Sequence, residues 1–227
     1  MELSQDLFVE NPVFAGLTRK EQIELMQEGI RKKYRAGDCV VHHDQVWSYL
    51  FLVVSGSIQG LKASTEGRSL IVLTLEDGEL FWGMGFFEED AGMPVSLQAH
   101  QDSEILMWSR EQMMPWLMKN GRISWELARL MATRMRRASE IVEELAFQPV
   151  RGRLARLLLE HYGTAVDEFV SRDLSLDQMA AHIGTKREMV CRLLYQFAEE
   201  GAIEISRTEF MIADRGKLEI KALQAKG

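Results

Sequence analysis

The sequence predicts an α+β chain in three parts: an antiparallel β barrel or jelly roll, one long helix, and a C-terminal winged helix-turn-helix. Three observations predict it. From about 31 to 108, short apolar runs (CVV, YLFLVV, LIVLTL, ELFW, EILMW) recur at roughly ten-residue spacing between turn signals, as in a barrel or jelly roll. Residues 122–147 form one long helical stretch with a narrow apolar seam. Residues 175–197, SLDQMAAHIGTKREMVCRLLYQF, read as two short helices around a sharp turn. The division follows as 1–121 for the barrel, 122–147 for the long helix and 148–227 for the last domain.

At 227 residues the chain is long enough for two domains, each with a core of its own. Its two cysteines, Cys39 and Cys191, exclude a disulfide scaffold, and one chain cannot supply the four ligands of an iron–sulfur cluster. The N-terminus MELSQDLFVENP is mixed and acidic, unlike a signal peptide, and no apolar run approaches membrane-spanning length. A cytoplasmic protein without a membrane partner is expected. The net charge of −7 argues at first against nucleic acid. Residues 149–227 carry 12 Lys+Arg and 12 Asp+Glu, so the acidity belongs to the first 148 residues, with 15 and 22. An acidic domain beside a neutral one with a local basic helix suits site-specific DNA binding better than charge-driven coating.

Taken in order, Thr18 and Glu21 form a capping box that opens a helix over 18–30. The strands follow, with turns expected at Gly37-Asp38, Ser55-Gly56, Glu66-Gly67 and Asp77-Gly78. Pro94 marks an edge or a loop. Ser109 with Gln112 opens a second helix that breaks near Asn120-Gly121. In the long helix Ala128, Met131, Met135, Ala138, Val142 and Leu145 alternate spacings of three and four, flanked by Arg134, Arg136, Arg137, Glu140, Glu143 and Glu144. The chain's own barrel is one possible cover for this seam. Its narrowness, with charges on both sides, favours a second copy and a homodimer. Pro149 ends this helix or starts the next, whose apolar face is Val150, Leu154, Leu157 and Leu158. After 197, AIEISRTEFMIAD reads as a hairpin, the wing.

Within 175–197 two capping boxes are expected, Ser175 with Gln178 and Thr185 with Glu188. Gly184 occupies the turn, Ala180 permits close crossing, and Met179, Ile183, Val190, Leu193 and Phe197 supply a buried seam. Thr185, Lys186, Arg187 and Glu188 open the second helix, and Arg192 follows one turn on. Basic side chains there reach phosphates and guanine edges, and a carboxylate accepts from cytosine N4. A helical hairpin with a solvated charged face is the plain alternative; the caps, turn glycine and seam in register favour DNA. Cys191 lies beside Arg192, where oxidation would disturb DNA contact. A small residue at a helix crossing accounts for it more simply.

The order of β-rich domain, long helix and C-terminal helix-turn-helix resembles the bacterial cyclic-AMP receptor protein and fumarate–nitrate regulator (Crp/Fnr) family. The stretches that carry the resemblance are LFLVVSGSI at 50–58, EDGELFWGMGFFEED at 76–90, ASEIVEELAF at 138–147 and GTKREMVCRLL at 184–194. It implies a cyclic-nucleotide-binding-like barrel, a homodimer, a double-stranded DNA operator and RNA polymerase as a partner. The loop around 162–172 is a candidate polymerase surface, though nothing in it is diagnostic. Arg187, Glu188 and Arg192 match the family's R-E-x-x-x-R pattern. This implies a TGTGA-like half-site in which the arginines read guanines and Glu188 a cytosine. Lys186 is assigned to a phosphate.

The family's cyclic-nucleotide branch fixes ribose with a glutamate and the cyclic phosphate with an Arg-Ser pair, since a buried phosphate must be paired. Here those positions hold Gly83, Met93 and Pro94, with Trp82 beside them, so cyclic AMP is not expected as effector. The candidate effector pocket is large and apolar: Trp82, Gly83, Met84, Phe86, Phe87 and Met93, with Met135 and Ala138 as further candidates from the long helix. It suits a small apolar effector or haem, with His42, His100 or a methionine as axial ligand. His42 and His43, neighbours on an expected strand, point to opposite faces and cannot share a metal. The same residues also fit a barrel that binds nothing. A cupin-like metal enzyme would need an H-x-H pair that is not present. A barrel and coiled-coil adaptor that never touches DNA leaves the basic helix unexplained.

Overall fold

The computed structural model describes residues 7–65, 68–163, 168–206 and 208–223. They fall into two compact units. One comprises the chain up to Lys62 with Val72–Arg137, and the other Ala63–Ile71 with Ala138 onward.

The first unit is built on two four-stranded antiparallel sheets. The strands are β1 (Ile30–Tyr34), β2 (Cys39–Val41), β3 (Tyr49–Ser55), β4 (Ile58–Ala63), β5 (Ser69–Leu75), β6 (Leu80–Trp82), β7 (Ser96–Ala99) and β8 (Ser103–Ser109). One sheet runs β1-β8-β3-β6 and the other β2-β7-β4-β5. The apolar runs are long because β3 and β8 are buried on both faces. Strand side chains alternate: Phe51, Val53, Ile105 and Met107 point into the barrel, while Leu50, Leu52, Leu106 and Trp108 point to the helical layer. The register pairs them face by face, Leu50 with Trp108 and Phe51 with Met107.

That helical layer holds α1 (Arg19–Glu28), α2 (Arg110–Lys119) and the start of α3 (Gly121–Phe147). The capping boxes Thr18–Glu21 and Ser109–Gln112 both form. Trp108 Nε1 donates to the Leu25 carbonyl at 2.7 Å and ties the sheet to α1. The first helix is shorter than its 18–30 expectation. It stops at Glu28, and Ile30 already pairs with Met107 in β1, an exposed edge strand whose charges hid it from an apolar-run search. The turn at Glu66-Gly67 lies outside the described residues.

In the second unit, the end of α3 is followed by α4 (Val150–Tyr162), α5 (Leu176–His182), α6 (Arg187–Glu199) and α7 (Arg215–Leu223). A three-stranded sheet, β10 (Ile203–Ile205), β11 (Glu209–Ile212) and β9 (Val170–Ser171), forms the wing. Pro149 is the N-cap of α4. One core joins Leu154 and Leu158 of α4, Met179, Val190 and Phe197 of the helix pair, and Phe210 of the wing. Helix α7, unforeseen in the sequence, is fastened by Lys221, whose Nζ lies 2.6 Å from Glu200. Arg151 reaches the same carboxylate at 2.5 Å. Both cations lie over the Phe197 ring.

Candidate nucleic-acid interface

Ser175 caps α5 as its sequence predicts: its hydroxyl accepts from the Gln178 amide at 3.2 Å, and Gln178 Oε1 accepts from the Ser175 amide at 2.8 Å. The chain then turns through Gly184, whose φ of +63° lies in the left-handed region that glycine tolerates. A Cβ there would also press to 3.0 Å from Leu145. The Thr185 amide donates to the Ala180 carbonyl at 2.9 Å and closes the turn. The box expected from Thr185 and Glu188 does not form. Helix α6 begins later than that box needs, with Lys186 as N-cap and no side-chain cap bond. Thr185 is spent on the turn instead.

The underside of the pair is buried throughout, at Met179, Ala180, Ile183, Val190, Leu193 and Phe197. The opposite face presents Lys186, Arg187, Glu188 and Arg192, all exposed, with Thr185 half-buried behind them. Tyr195, 66% exposed, continues that face one turn past Arg192; spacing from Arg192 could have found it. Arg187 Nη1 touches Asp177 Oδ2 at 3.2 Å, an exposed and screened pair that costs little to break. The Arg192 guanidinium rests 2.8 Å from Met189 Sδ. Cys191 is half-buried and lines a cavity of about 430 Å³ with Arg172, Leu176, Leu194, Tyr195, Ile205 and Ser206.

The approach to α5 is held by Asp173. Its Oδ1 accepts from Tyr162 Oη at 2.7 Å, and His161 Nε2 lies 2.9 Å away. The Leu174 amide donates back to Tyr162 Oη at 3.2 Å. Burial pushes the Tyr162 phenol up to about 12. Burial alone would raise the Asp173 carboxyl, but the hydrogen bonds from Tyr162 and His161 outweigh it and hold it below the usual range. Residues 164–167 of the loop considered for RNA polymerase lie outside the described residues.

On α3 the seam faces outward: Ala128, Met135, Ala138 and Val142 are exposed, and Met131 and Leu145 half-buried. Met135 is 72% exposed and Val142 66%, a large cost for a helix left uncovered. Trp125, 66% exposed, lies three residues before Ala128 and so just off the alternation of three and four, which would put Ser124 there.

The residues assigned to an effector pocket are divided by the sheet. Trp82 and Phe86 pack in the core shared with the helices, whereas Met93 lies inside the barrel. Strand alternation is the reason: on β6 it is Phe81, between Leu80 and Trp82, that turns inward. Inside, Trp47, Phe51 and Phe81 form a chain of rings with centroids 5.4 and 6.0 Å apart. Met84 and Phe87 are substantially exposed on and beside the 3₁₀ turn Met84–Phe86, as are Met135 and Ala138 on α3. Gly83 admits no side chain, because a Cβ there would overlap the Trp47 carbonyl oxygen. His42 and His43 follow β2 in a turn, not on a strand, since pairing ends at Val41. His42 and His100 are both exposed. No group of three or more His, Cys, Asp or Glu able to hold a metal occurs among the described residues.

The Crp-like helix-turn-helix domain matches residues 152–220, and the cyclic nucleotide-binding domain matches residues 31–120. The chain belongs to the Crp/Fnr family. It is 27% identical over 209 residues to the cyclic AMP receptor protein of Thermus thermophilus, covering 92% of this chain and 95% of that one. It is 26% identical over 183 residues to the cAMP-activated global transcriptional regulator Vfr of Pseudomonas aeruginosa, covering 77% and 85%. Among solved structures, a Crp/Fnr-family regulator from Eubacterium rectale shares the fold at a TM-score of 0.77 and 21% identity, covering 94% of this chain and 98% of that one. Crp/Fnr proteins are DNA-binding transcription regulators rather than enzymes, and DNA is the partner of this chain. No described helix is long and apolar enough to cross a membrane.

Proposed function

We propose that this Crp/Fnr regulator works as a homodimer on a near-palindromic operator with TGTGA-like half-sites, and answers to an effector other than cyclic AMP. In this reading residues 1–121 sense, 122–147 dimerise and 148–227 read DNA. The observation that carries it is the exposed row Lys186, Arg187, Glu188 and Arg192 on a helix whose other face is fully buried. Arg187 and Arg192 take guanines, Glu188 a cytosine and Lys186 a phosphate. The uncapped start of α6 leaves first-turn N–H groups for a second phosphate. The outward apolar seam of α3 supplies the dimer, and two-fold symmetry sets the half-sites about one helical turn apart.

The relatives named for cyclic AMP make that nucleotide the first effector to test. Against it stand Gly83, Met93 and Pro94 where the phosphate and ribose ligands belong, with Met93 itself fully buried. Two experiments decide. Selection from a random DNA library should return a palindrome; recovery of asymmetric or unrelated sites overturns the operator reading. Calorimetry with cyclic AMP should show no heat of binding, and a saturable signal at micromolar nucleotide overturns the effector reading.

A further inference from the structure

Arg153 is the one arginine that the second unit buries among its described residues, at 9% exposure. It sits in the first turn of α4 and holds carbonyl oxygens on two other elements. Nε donates to the Ile183 carbonyl at 3.0 Å, at the end of α5 where the helix-turn-helix turns. Nη1 donates to the Gln148 carbonyl at 2.6 Å and reaches the Glu144 carbonyl at 3.4 Å, both at the end of α3. The Gln148 and Ile183 carbonyls lie past the last intrahelical donors of α3 and α5, the Glu144 carbonyl already accepts from the Gln148 amide at 3.0 Å, and a cation there also meets the negative end of the helix dipole. The guanidinium is a rigid planar fork, so one side chain satisfying these oxygens fixes an angle as well as a distance. Two neighbours reinforce it. Leu145 packs against Gly184, the next residue of the turn, and Arg156 Nη1 pairs with Glu144 at 2.9 Å.

We propose that Arg153 is a positioning residue that holds the helix-turn-helix at one angle to the end of α3, and thereby sets the half-site spacing the dimer accepts. This rests on the dimeric operator reading above. The two recognition helices of a dimer are then pre-aimed, and a wrongly spaced operator is bound only by breaking the staple. Without the staple the dimer loses affinity for the right spacing and gains tolerance for wrong ones, because pre-organisation is what it gave up.

The test compares the wild type with Arg153→Lys, which keeps the charge but not the fork, on the selected palindrome and on versions one base pair longer and shorter. The wild type should lose about tenfold or more for each change, and Arg153→Lys less than about threefold. An equal loss of affinity on all three operators in Arg153→Lys would overturn the proposal, since that is what simple destabilisation does. Amide hydrogen exchange supplies the second arm without DNA: Gln148 and Thr185 should lose protection in Arg153→Lys while Val190 and Leu194 in the core keep theirs. Unchanged protection at Gln148 and Thr185 also overturns it. A wild type that ignores spacing counts against the operator reading instead, and the exchange arm then judges the staple alone.

Discussion

A single side chain on α6 can be asked for one of two things, affinity or discrimination. Arg187 is exposed and held only by a screened pair with Asp177, so its free-state partner offers little resistance to a guanine edge. Arg187→Ala should therefore cost about 1–3 kcal/mol on the selected operator and far less on random DNA. Fluorescence anisotropy on both DNAs checks it, and equal losses would make Arg187 a phosphate contact. Glu188 is cleaner to interpret than its sequence promised. Spacing made it a capping partner and the family resemblance a base reader, and the structure removes the first because Lys186, not Thr185, precedes the helix. The sequence could not show this. Whether a Thr-x-x-Glu spacing becomes a cap depends on where the turn before it closes, and that closure is a backbone bond from Thr185 to Ala180.

At the scale of elements, α3 carries the sharpest expectation. In the proposed homodimer a second α3 covers Met135 and Val142, which this helix by itself leaves mostly in water. Val142→Asp should shift sedimentation from dimer to monomer. Operator affinity should fall by roughly 100-fold or more as two-site binding becomes one-site binding. A variant that stays dimeric would place the interface elsewhere. Most elements are legible in the sequence for a physical reason: buried strands such as β3 and β8 must be apolar on both faces, and amphipathic helices must repeat at three and four. What stayed hidden was whatever broke that link. Edge strand β1 shows its charges to solvent, β9 has only two residues, and α7 offers few apolar residues and adds a Lys221–Glu200 ion pair to the buried Leu218. The effector pocket failed on the same point. Alternation sends Trp82 to one side of the sheet and Phe81 to the other, so residues matched to the family's cassette end up in different cores.

At the scale of the whole molecule, acid acts on both units: in the first, Glu21, Glu104 and Glu111 have carboxyls held below the usual range. Asp173 and Glu200, both in the second unit, have carboxyls held below the usual range. For Glu200 the bond from Lys221 is the largest cause. A depressed folded value means the stabilisation is present above the ordinary carboxylate range near pH 4 and is lost as pH falls through the lower folded value. Tyr162 has the opposite sign at the other end: its raised phenol stabilises below its ordinary value near 10 and fails as pH climbs toward about 12. All five tryptophans, at 47, 82, 108, 116 and 125, lie in the first unit, so their fluorescence reports that unit. Asp173→Asn should flatten the acid limb seen by exchange in the second unit and leave the tryptophan curve unmoved. A matching shift in tryptophan fluorescence would show that the units unfold together. Gly83 has a consequence on a longer timescale. With the Trp47 carbonyl already in the space of its absent Cβ, a glutamate at 83 would first have to displace the 47–49 backbone. Any route from this chain to a glutamate at 83 therefore needs at least two changes, one of them in the 47–49 backbone.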